Sequence, residues 1–327
     1  MAMAMAIGGF FELEFNRGTT LYPQALGFNS ARFALQALLQ ASVIKRLYLP
    51  DYTCSTMHDA ALRSGVEVVR YTVDDQLQPV ELPTLNADEH LQYVNYFGLK
   101  DDYIRQRLWP ALSGRLIIDN AQSLFSAPLD GVPTLYSPRK FVGVPDGGWL
   151  VNGPAQIPDL EPGSSEGRTR ALIGRLEGGP EPFYGTFIEV EHSIRDEGMR
   201  GMSALTARLL DGLDYSRIRA RRQANFAVLR ERLDGLNGFS LFAGVSAPMV
   251  YPLLLASAEQ ANQVRSALQQ QRIYVATYWR ELLDDPALGA AARRWTECML
   301  PLPIDQRYDD GDMERVAGAV LQALGRT

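Results

Sequence analysis

The chain has 327 residues, 46% of them hydrophobic, and a formal net charge of -6 at pH 7. That length exceeds what one hydrophobic core supports, about 250–300 residues, so a large domain at 1–205 and a smaller one at 206–327 are expected. The acidic balance gives no general attraction to nucleic acid phosphates or anionic membranes, which leaves small molecules as the expected partners. Cys54 and Cys298 stand far apart and have neither a disulfide framework nor metal-ligand spacing. The opening Met-Ala repeat at 1–6 lacks a basic start, and no apolar run is long enough for a bilayer, so a cytoplasmic protein is expected.

From residue 29 to 152, strand-like and helix-like segments alternate, the pattern of a mostly parallel sheet covered by helices on both faces. Short apolar runs at 46–50, 66–73, 91–97, 115–118, 134–136 and 148–151 predict strands. Helical periodicity occupies 29–40, 53–64 and 101–112 between them. Residues 152–182, rich in Gly, Pro, Ser and Glu, read as a long loop or arm. Residues 204–233 predict one or two long helices, and their Arg217, Arg219, Arg221 and Arg222 read as a solvated basic face. The last third predicts a strand at 249–255, a helix from Ser257 to about Gln271, a strand at 273–277 and a helix at 312–324, a compact α+β unit. Pro252 inside the first of these strands points to a sheet edge or a bulge.

In an open α/β sheet, ligands gather at the carboxyl ends of the strands, and three segments there have chemical character. Gly27-Phe28-Asn29-Ser30-Ala31 opens a helix, where free N–H groups favour a phosphate and where Asn or Ser is equally an ordinary cap. Leu116-Ile117-Ile118-Asp119 is an apolar strand ending in a carboxylate, followed by Gln122; this too can be a cap. Ser137-Pro138-Arg139-Lys140 places a lysine in a turn ahead of the glycine-containing run Pro145-Asp146-Gly147-Gly148. Lysine occurs only at Lys45, Lys100 and Lys140, so lysine chemistry has three candidates. Lys45 enters a strand and Lys100 sits in an acidic loop.

In this order the three segments resemble the fold-type I pyridoxal phosphate (PLP) enzymes, specifically the DegT/StrS sugar aminotransferases. Phe28-Asn29-Ser30-Ala31-Arg32-Phe33-Ala34-Leu35 echoes the family's helix start, Pro50-Asp51-Tyr52-Thr53 its Pro-Ser-Phe-Thr segment, and Ile118-Asp119-Asn120-Ala121-Gln122 its Glu-Asp-Ala-Ala-Gln motif. Lys140 with Pro145-Asp146-Gly147-Gly148 matches the family lysine and its glycine run, and the likeness extends to Met202-Ser203 and Leu300-Pro301-Leu302-Pro303.

The resemblance implies a PLP fold-type I large domain with a mostly parallel sheet, and a smaller α+β domain behind it. It implies that Lys140 holds PLP as a Schiff base and later moves a proton, that Asp119 pairs with the pyridinium, and that Gln122 meets the ring oxygen. Asn29, Ser30 and Ser137 would hold the phosphate. Cys54 stands where the family has an aromatic against the cofactor ring, a place that Tyr52, Asn95 or His58 could also take. The implied activity moves an amino group from an amino acid, typically glutamate, to a keto group of a nucleotide-linked sugar in polysaccharide or secondary-metabolite synthesis, within a homodimer. Another fold-type I reaction on an amino acid, or a catalytically silent paralogue, is the alternative. Lysine rather than histidine at 140 disfavours the related dehydratases.

Overall fold

A computed structural model describes residues 7–112, 114–240 and 247–326; the Met-Ala repeat lies outside them. Seven strands form one sheet in the order β1-β7-β6-β5-β4-β2-β3. In chain order they are β1 (Leu26–Phe28), β2 (Arg46–Pro50), β3 (Glu67–Tyr71), β4 (Glu89–Val94), β5 (Leu116–Asn120), β6 (Thr134–Tyr136) and β7 (Gly148–Val151). Strands β2 to β6 run parallel, and β7 is antiparallel to both β6 and β1.

Strands β5, β6 and β7 are buried at every residue because both faces of the sheet are covered there. Alternation sends Leu116 and Ile118 of β5 into one core and Ile117 into the other. In β6, Tyr136 and Leu135 divide the same way, as do Trp149 and Leu150 in β7. Helices α1 (Ala31–Gln40) and α2 (Ser55–Arg63) cover the Ile117 face with Phe33, Leu35, Met57 and Ala60. On the other face, α3 (Asp101–Tyr103) continues through a π-helical segment (Ile104–Leu108) into α4 (Trp109–Leu112) and buries Ile104, Leu108 and Leu112.

The N-terminus of α1 presses directly on β7. A Cβ on Gly148 would lie 2.3 Å from the Ala31 nitrogen and 2.6 Å from the Ser30 carbonyl oxygen, so only glycine permits this contact.

The stretch expected to be a loop is partly helical. It contains α5 (Arg170–Gly178) and is followed by α6 (Tyr184–Glu197), whose Val190 and Ile194 join the core beneath α1. Its glycine content misleads because Gly174 serves packing: a Cβ there would meet the Phe183 ring at 2.4 Å.

The C-terminal part comprises α7 (Ala204–Asp211), α8 (Tyr215–Leu233), β8 (Val250–Leu254), α9 (Ala258–Gln270), α10 (Ala290–Cys298), β9 (Met299–Pro303) and α11 (Asp310–Ala323). Its apolar core is continuous with the one on the Ile118 face. Residues 273–277, expected to be a strand, are irregular; the partner of β8 is β9, antiparallel, with Pro252 opposite Pro301. Among the described residues each strand of this pair has one strand neighbour only, so a proline can sit where it costs no ladder bond. No helix among the described residues is long and apolar enough to cross a membrane.

Candidate active site

Asp119 closes β5 at the carboxyl edge of the sheet and is buried. Its Oδ1 accepts from the Ala121 N–H at 2.8 Å and its Oδ2 from Gln92 Nε2 at 3.2 Å. Among the described residues no cation forms a salt bridge with it. Burial therefore pushes the Asp119 carboxyl above the ordinary carboxylate value, against the opposing pull of the Lys140 ammonium, the Ala121 N–H and the Gln92 amide. A buried acid in this state lacks one thing, a cation close by.

Lys140 ends a 3₁₀ turn over Pro138–Lys140. The Pro138 carbonyl accepts from the N–H groups of Phe141 and Val142 at 2.8 and 2.9 Å, which locks the turn while Phe141 is buried and the Lys140 side chain is exposed. Of the three lysines, only Lys140 acts electrostatically on Asp119. Lys45 pairs with Asp88. Lys100, expected in an acidic loop, is buried: Nζ donates to the Gln76 carbonyl at 2.7 Å, and burial pushes the amine down to about 8. Its amine is committed to that carbonyl.

At the start of α1, Ser30 is the cap residue, yet its hydroxyl makes no capping bond. Its Oγ is buried without a protein partner, and the first N–H groups of a helix have no acceptor within it. A buried hydroxyl beside such N–H groups is a cradle for an oxyanion. Asn29 is placed differently from expectation. Its side-chain nitrogen donates to Glu197 Oε2 at 3.2 Å and the Gly198 carbonyl at 2.8 Å, and its oxygen accepts from the Arg200 N–H at 3.2 Å. The side chain thus fastens the turn to the end of α6, and contact with a phosphate would break those bonds.

The Asp146-Gly147-Gly148 run explains itself through the same turn. The Gly147 N–H donates to the Asn29 carbonyl at 2.9 Å, and Asp146 Oδ1 accepts from the Ser203 N–H at 3.1 Å. Ser203 in turn caps α7 through the Thr206 N–H.

Gln122 is buried and its Oε1 accepts from the Phe97 N–H at 2.9 Å, so the amide nitrogen is the group left to meet a ligand oxygen. Cys54 is half-buried at the cap of α2, with Sγ 3.1 Å from Thr56 Oγ1. Ser137 is half-buried one residue past β6. Tyr52 is fully buried, stacked on Tyr96 at 5.7 Å and edge-on to Trp279 at 4.6 Å, and so presents no face. The Asn95 amide is bound to Asp101 and Asn120. His58 lies half-buried on α2.

Beside Cys54 and α1, a cavity of about 250 Å³ opens between α1, α2 and α6, lined in part by Arg32, Ser55, Arg63, His192 and Arg195. Glu191 on its wall binds Arg139 at 2.5 Å and Arg32 at 3.9 Å. Periodicity could not reveal these residues, because α6 brings them together only in the fold.

No family model and no curated protein matches the chain in sequence. Solved structures match it in shape. The sugar aminotransferase CalS13 from Micromonospora echinospora superposes with a TM-score of 0.64 at 16% identity, over 92% of this chain and 87% of that one. Spr1654 from Streptococcus pneumoniae, in its PLP form, gives 0.62 at 16% identity over 92% and 87%. Helicobacter pylori PseC, an aminotransferase involved in the biosynthesis of pseudoaminic acid, gives 0.60 at 15% identity over 92% and 86%. The chain has the fold of these proteins along nearly its whole length.

Proposed function

We propose that the protein is a PLP-dependent aminotransferase that takes an amino group from an amino acid, glutamate first among candidates, and delivers it to a keto group of a nucleotide-linked sugar. The observation that carries the reading is Asp119, a buried carboxyl near the end of the central strand that makes no salt bridge among the described residues and is acted on by Lys140. Ser30, with its buried, unpartnered hydroxyl at the start of α1, fits the phosphate of the same cofactor. Fold and chemistry agree with the names borne by the similar structures.

When bound, PLP supplies a carbonyl that captures amines and a ring that withdraws electrons from the substrate carbon. Lys140 would hold it covalently and, once displaced by substrate, would take and return a proton at Nζ. Asp119 would keep a proton on the ring nitrogen. Ser30 Oγ, the Ser137 hydroxyl and the first N–H groups of α1 would hold the phosphate, with Asn29 setting that turn through its side-chain bonds. Gln122 would donate its amide N–H to the ring oxygen, and Cys54 would pack against the ring. Arg32, Arg63 and Arg195 give the adjoining cavity cations suited to a carboxylate or phosphate on the substrate.

The reading includes a homodimer and a division of the chain near residue 205. Leu176 on α5 and Tyr184 and Phe187 on α6 are 87%, 67% and 45% exposed, apolar side chains of the kind a partner covers.

The test is spectroscopic. Purified protein mixed with PLP should develop a visible absorbance band that borohydride fixes as a modification on Lys140, located by mass spectrometry. Glutamate should bleach the unreduced band. Equal colour in wild type and Lys140→Ala would overturn the assignment, and a band that glutamate leaves unchanged would overturn the donor.

A further inference from the structure

Arg222, which reads as part of a solvated basic face, is only 2% exposed. On α8 it lies in register with Ile218, Asn225 and Leu229, the buried stripe of that helix. Its guanidinium has no carboxylate partner among the described residues. The acid acting on it, Asp305, is bound to Arg307 at 2.6 Å. Its ligands are instead main-chain carbonyls. Nη2 donates to the Phe141 oxygen at 3.1 Å, and Nη1 to Met249 at 3.0 Å and Pro248 at 3.3 Å. Nε donates to Gln306 Oε1 at 3.0 Å, and Gln306 Nε2 donates back to the same Phe141 carbonyl at 2.9 Å. The cation also stacks over the Phe141 ring at 4.6 Å.

Phe141 directly follows Lys140. Met249 leads elsewhere: its N–H donates to the Phe97 carbonyl at 2.9 Å, and the Phe97 N–H donates to Gln122 Oε1 at 2.9 Å. Phe97 holds a left-handed backbone, φ 59°, to make both bonds. One side chain from the C-terminal part therefore ties the lysine turn to the strand end bearing Asp119 and Gln122. A planar fork of five donors suits this task better than the three donors of a compact ammonium. Burying a charge with only neutral ligands costs stability, and burial pushes this guanidinium down to about 10.

We propose that Arg222 is a positioning residue that fixes the turn carrying Lys140 relative to the strand end carrying Asp119. The proposal rests on the PLP reading for its purpose, and on the hydrogen bonds alone for its mechanics. The test uses the full chain as Arg222→Met, Arg222→Lys and Gln306→Ala, beside Val316→Ala, which weakens the core under α11 without touching the turn. Hydrogen exchange of the apoprotein should speed up at the Phe141 and Val142 amides in Arg222→Met by about tenfold or more, with the Ile117 and Leu135 amides unchanged. PLP, measured by equilibrium titration, should bind about tenfold or more weakly in that variant.

Arg222→Lys should recover part of both effects, Gln306→Ala should show the exchange effect in milder form, and Val316→Ala neither at a matched loss of melting temperature. If Arg222→Met does not fold, Gln306→Ala and Arg222→Lys decide by the same exchange readout. Exchange in the turn no faster than in Val316→Ala would overturn the proposal. A wild-type protein that binds no PLP would overturn the proposed function instead, and the exchange comparison would still decide for or against Arg222.

Discussion

Gln92 Nε2 donates to Asp119 Oδ2 at 3.2 Å, so an amide on β4 holds the carboxylate that ends the neighbouring strand β5. Alternation puts both side chains on the sheet face that α1 covers, opposite Tyr93 and Ile118. Neither this amide nor the Ala121 N–H neutralises the acid, which leaves the fold with a localised deficit of positive charge.

The deficit has a stability signature. Burial raises the Asp119 carboxyl above its ordinary 3.8, so the folded apoprotein holds this proton more tightly than the unfolded chain does. Ionising it costs stability as pH rises through the interval between the two values, the reverse of a salt-bridged acid. Asp119→Asn apoprotein should therefore melt above wild type at pH 7, with the difference vanishing toward about pH 4. The substitution is tolerated locally because Gln92 Oε1 has no partner and can rotate to accept from the new amide. With PLP present the order should invert, since removing one member of a buried pair costs about 3–5 kcal/mol. Melting curves with and without PLP at several pH values check both halves.

Lys140→Ala should abolish the visible band and lower amino transfer by at least about 10²–10⁴-fold, the range for loss of a general acid/base. Because the side chain is exposed, the apoprotein should keep its melting temperature to within about 0.5 kcal/mol of stability. A variant that loses activity together with stability would contradict this assignment.

Ser30→Ala separates the phosphate from the ring. Loss of one charge-assisted hydrogen bond, about 1.5–3 kcal/mol, should weaken PLP binding by roughly tenfold to a hundredfold. Pyridoxal without the phosphate should bind both proteins alike. Since the hydroxyl does not cap α1, apoprotein stability should barely change. Titrating both compounds against both proteins decides it.

Gly148→Ala should force α1 away from β7, because its new methyl would sit 2.3 Å from the Ala31 nitrogen. Overpacking of this kind costs about 1–3 kcal/mol. The phosphate turn should shift with the helix, so denaturant unfolding and PLP titration should both register the change.

Six of the seven sheet strands are legible as short apolar runs, the central ones because both their faces are buried. Leu26–Phe28 is not, being three residues long and defined only by its antiparallel pairing with β7. The strand expected at 273–277 and the true one at Met299–Pro303 show the converse: β-branched residues in the first find no strand partner among the described residues, while prolines in the second hide a strand that there pairs on one side only. Asp119 and Lys140 stand out because each sets a charged residue at or beside the end of an element, while Ser30, equally readable as an ordinary cap, gains meaning only beside them. Arg222 does not stand out, since adjacent arginines mask its place on the Ile218–Asn225–Leu229 stripe; reading that stripe at i, i+4, i+7 and i+11 would have revealed it. The roles of Asn29 and Glu191 depend on contacts with segments far along the chain, to which local patterns are blind.

The bond from Gln306 to the Phe141 carbonyl spans 165 residues. As the protein is synthesised from its N-terminus, every strand of the large sheet has been made once Val151 is joined. The lysine turn must still wait for donors at 222 and 306. A nascent chain on the ribosome would thus present the Lys140 turn without these ties while the 165 residues after Phe141, up to Gln306, are added. The donors that tie the Lys140 turn to the sheet edge are therefore made well after the sheet itself.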